Sequence, residues 1–173
     1  MGSKRESTAV INKVFNSLTS EERQVSLIFD EKYILLSARF GGGHIIGYSE
    51  DDPNELARTL FAVMVKSMFE KATFVCRLIP VHRLSSDLVH AVVRDVSEDV
   101  IASGGKIIAL ISDNHPINRG FYEQISISDS PWLGFIPMYE QPVALLHDIV
   151  YRFKSIRNNW IGERTQTLKL IIN

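Results

Sequence analysis

One cysteine, Cys76, stands in 173 residues. No internal disulfide can form, a Cys-rich zinc module is excluded, and the usage fits a reducing compartment. Neither sign of charge dominates: 19 Lys and Arg face 20 Asp and Glu, a formal net charge of -1. That balance excludes a protein held on nucleic acid mainly by its overall field, but not one with a local basic face. No apolar run approaches a membrane span, and the first residues lack the apolar core of a signal peptide. The chain is expected to be soluble and intracellular, with no membrane partner. No repeat, low-complexity tract or Pro/Gly/Ser linker divides it. His44, His82, His90, His115 and His147 show no metal-helix or finger spacing. Gly41-Gly42-Gly43 lacks the strand-to-helix setting and trailing lysine of a phosphate loop.

What remains is ordinary globular material, 45% hydrophobic and 23% charged, enough for one compact domain. Met1-Gly2-Ser3 reads as a tag remnant, so residues 1–24 are expected to be that remnant plus a docking helix, and residues 25–173 the domain. Val10, Ile11, Val14, Phe15 and Leu18 have the spacing of that helix. Val25 to Asp30 and Tyr33 to Phe40 read as strands, and the triple glycine as a hairpin turn returning through His44 to Tyr48. Asp52-Pro53-Asn54-Glu55 resembles a helix start, and Leu56, Leu60, Phe61, Met64, Val65 and Met68 fall on one helical face. Thr73 to Ile79 predicts a strand, Ser86 a second capped helix ending at Gly104-Gly105, and Lys106 to Asp113 a strand buried on both faces. Pro142 to His147 predicts a last strand and Ile149 to Trp160 a helix. A hairpin followed by alternating strands and helices implies an α/β fold with a mixed sheet flanked by helices.

The chemistry lies in the acids. Two apolar strands each end in aspartate, Asp30 and Asp113, and in α/β sheets ligand sites gather at the carboxyl ends of strands. If those strands are neighbours, the carboxylates converge and repel unless a cation lies between them. Mg²⁺ or Mn²⁺ there would align a phosphodiester with an attacking oxygen. The plainer alternative is that each aspartate turns the chain into a loop. Asp148 also ends a strand, and is either a third metal-binding acid or a helix cap. Glu31 should point away from Asp30 if the strand continues. Asn114 and Asn118 fit a role in ordering the turn after Asp113. Arg152, Lys154, Arg157, Arg164 and Lys169 cluster near the carboxyl end. Arg152, Lys154 and Arg157 are placed to follow a DNA backbone with Trp160 stacking on a base, unless they form a solvated helix face with Trp160 in the core. Cys76 reads as a buried small residue.

Phe29-Asp30-Glu31, the hairpin through Gly47, Leu60 to Phe69, Ser112-Asp113-Asn114 with Asn118, and Lys154-Ser155-Ile156-Arg157-Asn158-Asn159-Trp160 occur in one order. That ordered set, from about Val25 to Trp160, resembles P-element and THAP-type DNA transposases. The resemblance implies an RNase H-like catalytic core in which two aspartates and a distant glutamate hold two divalent metals for DNA strand cleavage and transfer. Asp30 and Asp113 match the aspartates. The glutamate lies, in the family, beyond a large GTP-binding insertion that this chain stops before, so GTP is expected only through a region absent here. The family's zinc-binding THAP module is absent too. Where the family usually reads Asp-Pro-Pro-His, this chain reads Asp148-Ile149-Val150-Tyr151. The resemblance therefore implies a core fragment not expected to cut DNA alone. Its alternative is a domesticated, inactive core that binds chromatin-associated proteins. Either implies a nuclear location.

Overall fold

The computed structural model describes residues 4–69, 72–127, 129–134, 142–150, 153, 154 and 157. Helix α1, Lys4–Asn16, comes first, and Arg23 closes it by donating Nε to the Phe15 and Leu18 carbonyls. Strand β1 is Gln24–Tyr33, β2 Arg39–Gly41 and β3 His44–Ile46. Then follow β4, Thr59–Ser67, β5, Thr73–Val81, and α2, Ser86–Ala102. Strand β6, Lys106–Ser112, and helix α3, Pro116–Ile125, lead to β7, Ser126–Ile127, β8, Ser130–Gly134, and β9, Val143–His147. Among the residues after Asp148, Ile149, Val150, Phe153, Lys154 and Arg157 are helical.

Seven strands form one mixed sheet in the order β5-β4-β1-β6-β9-β8-β7. The outer pairs are antiparallel, whereas β1-β6 and β6-β9 are parallel, so β1, β6 and β9 end at the same edge. Parallel neighbours need crossovers, and α2 and α3 lie within them. Val25, Leu27 and Phe29 of β1, Val63 and Val65 of β4, and Leu110 of β6 point to one face. There they share a core with Ile11 and Phe15 of α1, five α2 valines and Phe121 of α3. Phe29 is its hub, with ring centroids 6.2 Å from Phe61, 5.6 Å from Phe121 and 6.1 Å from Tyr122. Cys76 is buried as expected, and burial pushes its thiol up to about 12, out of reach of ordinary thiolate chemistry.

The helix expected from Asp52 to Met68 is instead a turn and β4. The run Leu60 to Val65 is apolar at nearly every position and so satisfies both periods. Thr59, Phe61, Val63, Val65 and Ser67 are buried while the residues between them are less so, a period of two, and β1 and β5 supply partners on either side. The Asp52 side chain does cap, but it caps a turn, accepting from Asn54 N at 3.0 Å. The strand expected over Tyr33 to Phe40 divides: β1 runs on to Tyr33, and β2 begins only at Arg39. The glycine turn forms as expected, with Gly42 and Gly43 at φ of 59° and 82°, the left-handed pair that a two-residue hairpin turn needs. Ser85, one residue before the expected cap, accepts from Leu88 N and starts α2.

Candidate functional site

The site is laid out by register. Ile28 of β1 pairs with Ile111 of β6, and Ser112 of β6 with His147 of β9. Continued past the last paired residues, that register sets Asp30, Asp113 and Asp148 in one row across β1, β6 and β9; Asp113 and Asp148 directly follow their strands, whereas β1 does not end at Asp30 as expected but runs on to Tyr33 by pairing with β4. The Asp148 amide donates to the Ser112 carbonyl at 2.8 Å and so extends the ladder into the row. Adjacent strands lie about 4.8 Å apart. Ile28, Ile111 and Leu146, each two residues before its aspartate, lie on the face away from the helix-covered core.

Each carboxylate is held by a local donor. Asp30 Oδ1 accepts from Glu31 N at 2.9 Å, and Asp148 Oδ1 accepts from Val150 N at 2.8 Å. Asp113 Oδ1 accepts from His115 N at 2.9 Å and from Asn118 Nδ2 at 2.7 Å. Partial burial raises the Asp30 carboxyl above its ordinary value. The Glu31 amide opposes that rise, and the charges of Asp113 and Asp148 add to it. Asp30 thus feels the negative charge of both other acids of the row. Asp148 caps the following helical residues and also acts on Asp30.

Four contributors were missed or undervalued in the sequence. Asn118 reaches back across the turn after Asp113 from a buried place in α3 and ties that helix to Asp113, while its Oδ1 has no hydrogen-bond partner among the described residues. Helix α3 was overlooked because it is short, although His115-Pro116 followed by Phe121, Tyr122 and Ile125 carried its start and its buried side. Glu31 continues β1 after Asp30 and is half-buried. Burial raises its carboxyl, His115 pulls it down, and Asp113 and Asp30 push it up. His147 Nδ1 lies 3.1 Å from the Asp113 carbonyl oxygen, a contact that needs the proton on Nδ1, and its ring centroid lies 5.0 Å from that of Tyr122, the two rings tilted by 41°. The Tyr122 hydroxyl stands 3.0 Å from the carbonyl oxygens of both Leu110 and Leu146, bridging β6 and β9 just below the row.

Asp30, Asp113 and Asp148 offer the hard oxygens that Mg²⁺ or Mn²⁺ takes, and their mutual repulsion would be relieved by a cation. Among the described residues, however, no three His, Cys, Asp or Glu side chains stand close enough together to hold a metal ion between them. The chemistry of the donors suits a divalent ion, but fewer than three of these side chains could hold it together, the rest of its shell being left to water. Of the basic group, Lys154 and Arg157 are exposed on helical backbone; Arg152, Trp160, Arg164 and Lys169 lie outside the described residues.

A seven-stranded mixed sheet with helices packed on it has a solved counterpart. The fold is transposase-like. It matches the structure titled "Drosophila P element transposase strand transfer complex" with a TM-score of 0.69 at 17% sequence identity, over 88% of this chain. The chain spans 33% of that protein's length. No protein-family model matches the sequence, and no curated protein matches it. Among the described residues, no helix is long and apolar enough to cross a membrane.

Proposed function

We propose that this chain is the RNase H-like core segment of a P-element or THAP-type transposase, or of a protein derived from one, and that Asp30 and Asp113 hold a divalent metal facing DNA. The observation that carries the reading is the row of Asp30, Asp113 and Asp148 across three adjacent parallel strands. A bound Mg²⁺ or Mn²⁺ would polarise a phosphodiester and activate an attacking oxygen. The protein's own part is positional. Asn118 and the α3 amino terminus hold the Asp113 carboxylate, the Glu31 amide orients that of Asp30, and Asp148 adds negative charge to the row. Lys154 and Arg157, with Arg152 and Trp160, would follow the DNA backbone. GTP enters only through a region outside this chain, and work on chromosomal DNA places the protein in the nucleus.

Two aspartates leave a second metal under-coordinated, so this chain alone leaves supercoiled DNA intact in Mg²⁺ or Mn²⁺. Calorimetric titration with Mn²⁺ should show binding by the parent chain that Asp113→Ala abolishes; equal binding by both overturns the metal reading. A second reading, an inactive core retained to bind chromatin-associated proteins, is favoured by Ile149-Val150-Tyr151 standing where the family reads Pro-Pro-His. The full-length polypeptide separates the two: cleavage lost on Asp113→Ala supports the transposase, and inactivity of a folded protein supports the binding module.

A further inference from the structure

Three residues after Asp30 the chain leaves the sheet as an arm. Residues 32 to 40 are exposed without interruption, and the arm then turns back through the β2-β3 hairpin, which pairs with no strand of the main sheet. Its root is fixed where Ile34 N donates to the Arg58 carbonyl and Ala57 N to that of Gly47, each at 2.9 Å. At Gly47, φ is 123° and any side chain would collide with the Ser37 carbonyl, so the arm leaves the root in a set direction. Between arm and sheet end lies an apolar cleft of about 210 Å³ lined by Leu35, Ile46, Tyr48, Leu60 and Pro80, with Arg39 beside them.

The arm's composition is unlike the rest of the chain. Leu35 is 91% exposed, Phe40 80%, Tyr33 77% and Ile45 60%. Phe40 and Ile45 are a directly opposed cross-strand pair beside the turn, so their side chains lie on one face of the hairpin. From Lys32 to Ser49 there is no acid, whereas Lys32 and Arg39 are both present. A second copy of this chain, with its net charge of -1, gives no reason to exclude acids from such an arm. A phosphate backbone does. The arm also springs from the edge of the sheet that bears the acid row, where a strand drawn to Asp30 would pass.

We infer that the 33–48 arm is a DNA-binding wedge, in which Phe40 and Ile45 enter between bases while Arg39 and Lys32 hold the flanking phosphates. Apolar wedges of this kind unstack a base step and are steadied by neighbouring cations. The inference shares with the proposed function the choice of DNA as ligand, but requires neither metal nor cleavage.

The test is fluorescence anisotropy of the full chain on a short duplex carrying 2-aminopurine, in EDTA, so that failure of the metal reading leaves the result untouched. The parent chain should bind and raise 2-aminopurine emission. Phe40→Ala with Ile45→Ala should weaken binding roughly tenfold or more and remove the rise. Arg39→Ala should keep the rise and lower the salt dependence of binding by about one phosphate contact. These side chains are exposed, so circular dichroism and melting should match the parent. A parent chain that does not bind, or an unchanged affinity in folded Phe40/Ile45 and Arg39 variants, overturns the inference. So does sedimentation showing that the paired substitution dissociates a dimer while DNA binding persists, which would give the arm to a second copy.

Discussion

The two faces of the sheet come from the same strands and differ in what lies over them. On one, Leu27, Phe29 and Val63 are at most 1% exposed beneath the helices. On the other, Val75, Leu78 and Leu146, though apolar, remain 49%, 42% and 45% exposed. The covered face holds the fold together, because removing its apolar area from water is the main favourable term in folding. The open face has little to lose by mutation and carries the acid row at its edge. Stability and chemistry are therefore separated by the strand's alternation: Phe29 and Asp30 are neighbours in sequence and serve opposite sides.

The largest expected contrast is between truncations on the two faces. Phe29→Ala removes the hub of the aromatic cluster and should lower unfolding free energy by about 3–5 kcal/mol, whereas Leu78→Ala should cost less than about 1 kcal/mol. Urea denaturation of both proteins measures the difference, and equal losses would break the comparison. A smaller effect is expected where the covered face meets the row. Tyr122→Phe removes the hydroxyl between Leu110 and Leu146 and should cost about 1 kcal/mol, with amide exchange quickening in β9 before β4. Uniform exchange would deny the bridge its local role.

The smallest effect has the opposite sign. The Asp30 carboxyl is raised in the folded protein by partial burial and by Asp113 and Asp148, so the folded state holds the proton more tightly than the unfolded chain. Stability contributed by this group is fully present below its unfolded value and is lost as pH rises through the raised folded one. Asp30→Asn should therefore raise Tm slightly at neutral pH, by at most about 2 °C for so exposed a group. The gain should vanish in acid below the usual carboxylate range. A loss of stability at neutral pH would mean that Asp30 supports the fold rather than straining it.

Those contrasts mark how far the sequence could be read. Val25 to Asp30 and Lys106 to Asp113 were legible because a short apolar run closed by an acid has few other uses in an α/β chain. The hairpin was legible because two left-handed positions need glycine. Leu60 to Val65 was not, since a continuous apolar run satisfies strand and helix alike, and only pairing with β1 and β5 decides. The acid row was legible as three acids closing apolar runs but not as a row, because register is a relation between segments. For the same reason the tie from Asn118 to Asp113 and the pull of His115 on Glu31 were invisible until α3 was in place. Exposure of Tyr33 to Phe40 could not be seen either, since those residues, rich in β-formers, read as one strand of a hairpin.

The parallel pairing of β1, β6 and β9 also fixes when the acid row can exist. Its members stand at positions 30, 113 and 148, and no local turn can bring parallel strands together. Antiparallel β1, β4 and β5 join through nearer connections and can zip early, while pairing across long loops is slow. A chain emerging from the ribosome thus acquires its aromatic core in stages, but its three aspartates meet only after residue 148 has been made and β9 has docked. Until β6 pairs with it, β1 and its Asp30 stand at a sheet edge beside an exposed apolar arm, and until β9 docks the edge is β6 with Asp113. That interval is when the nascent protein has the most greasy surface and the least of its site.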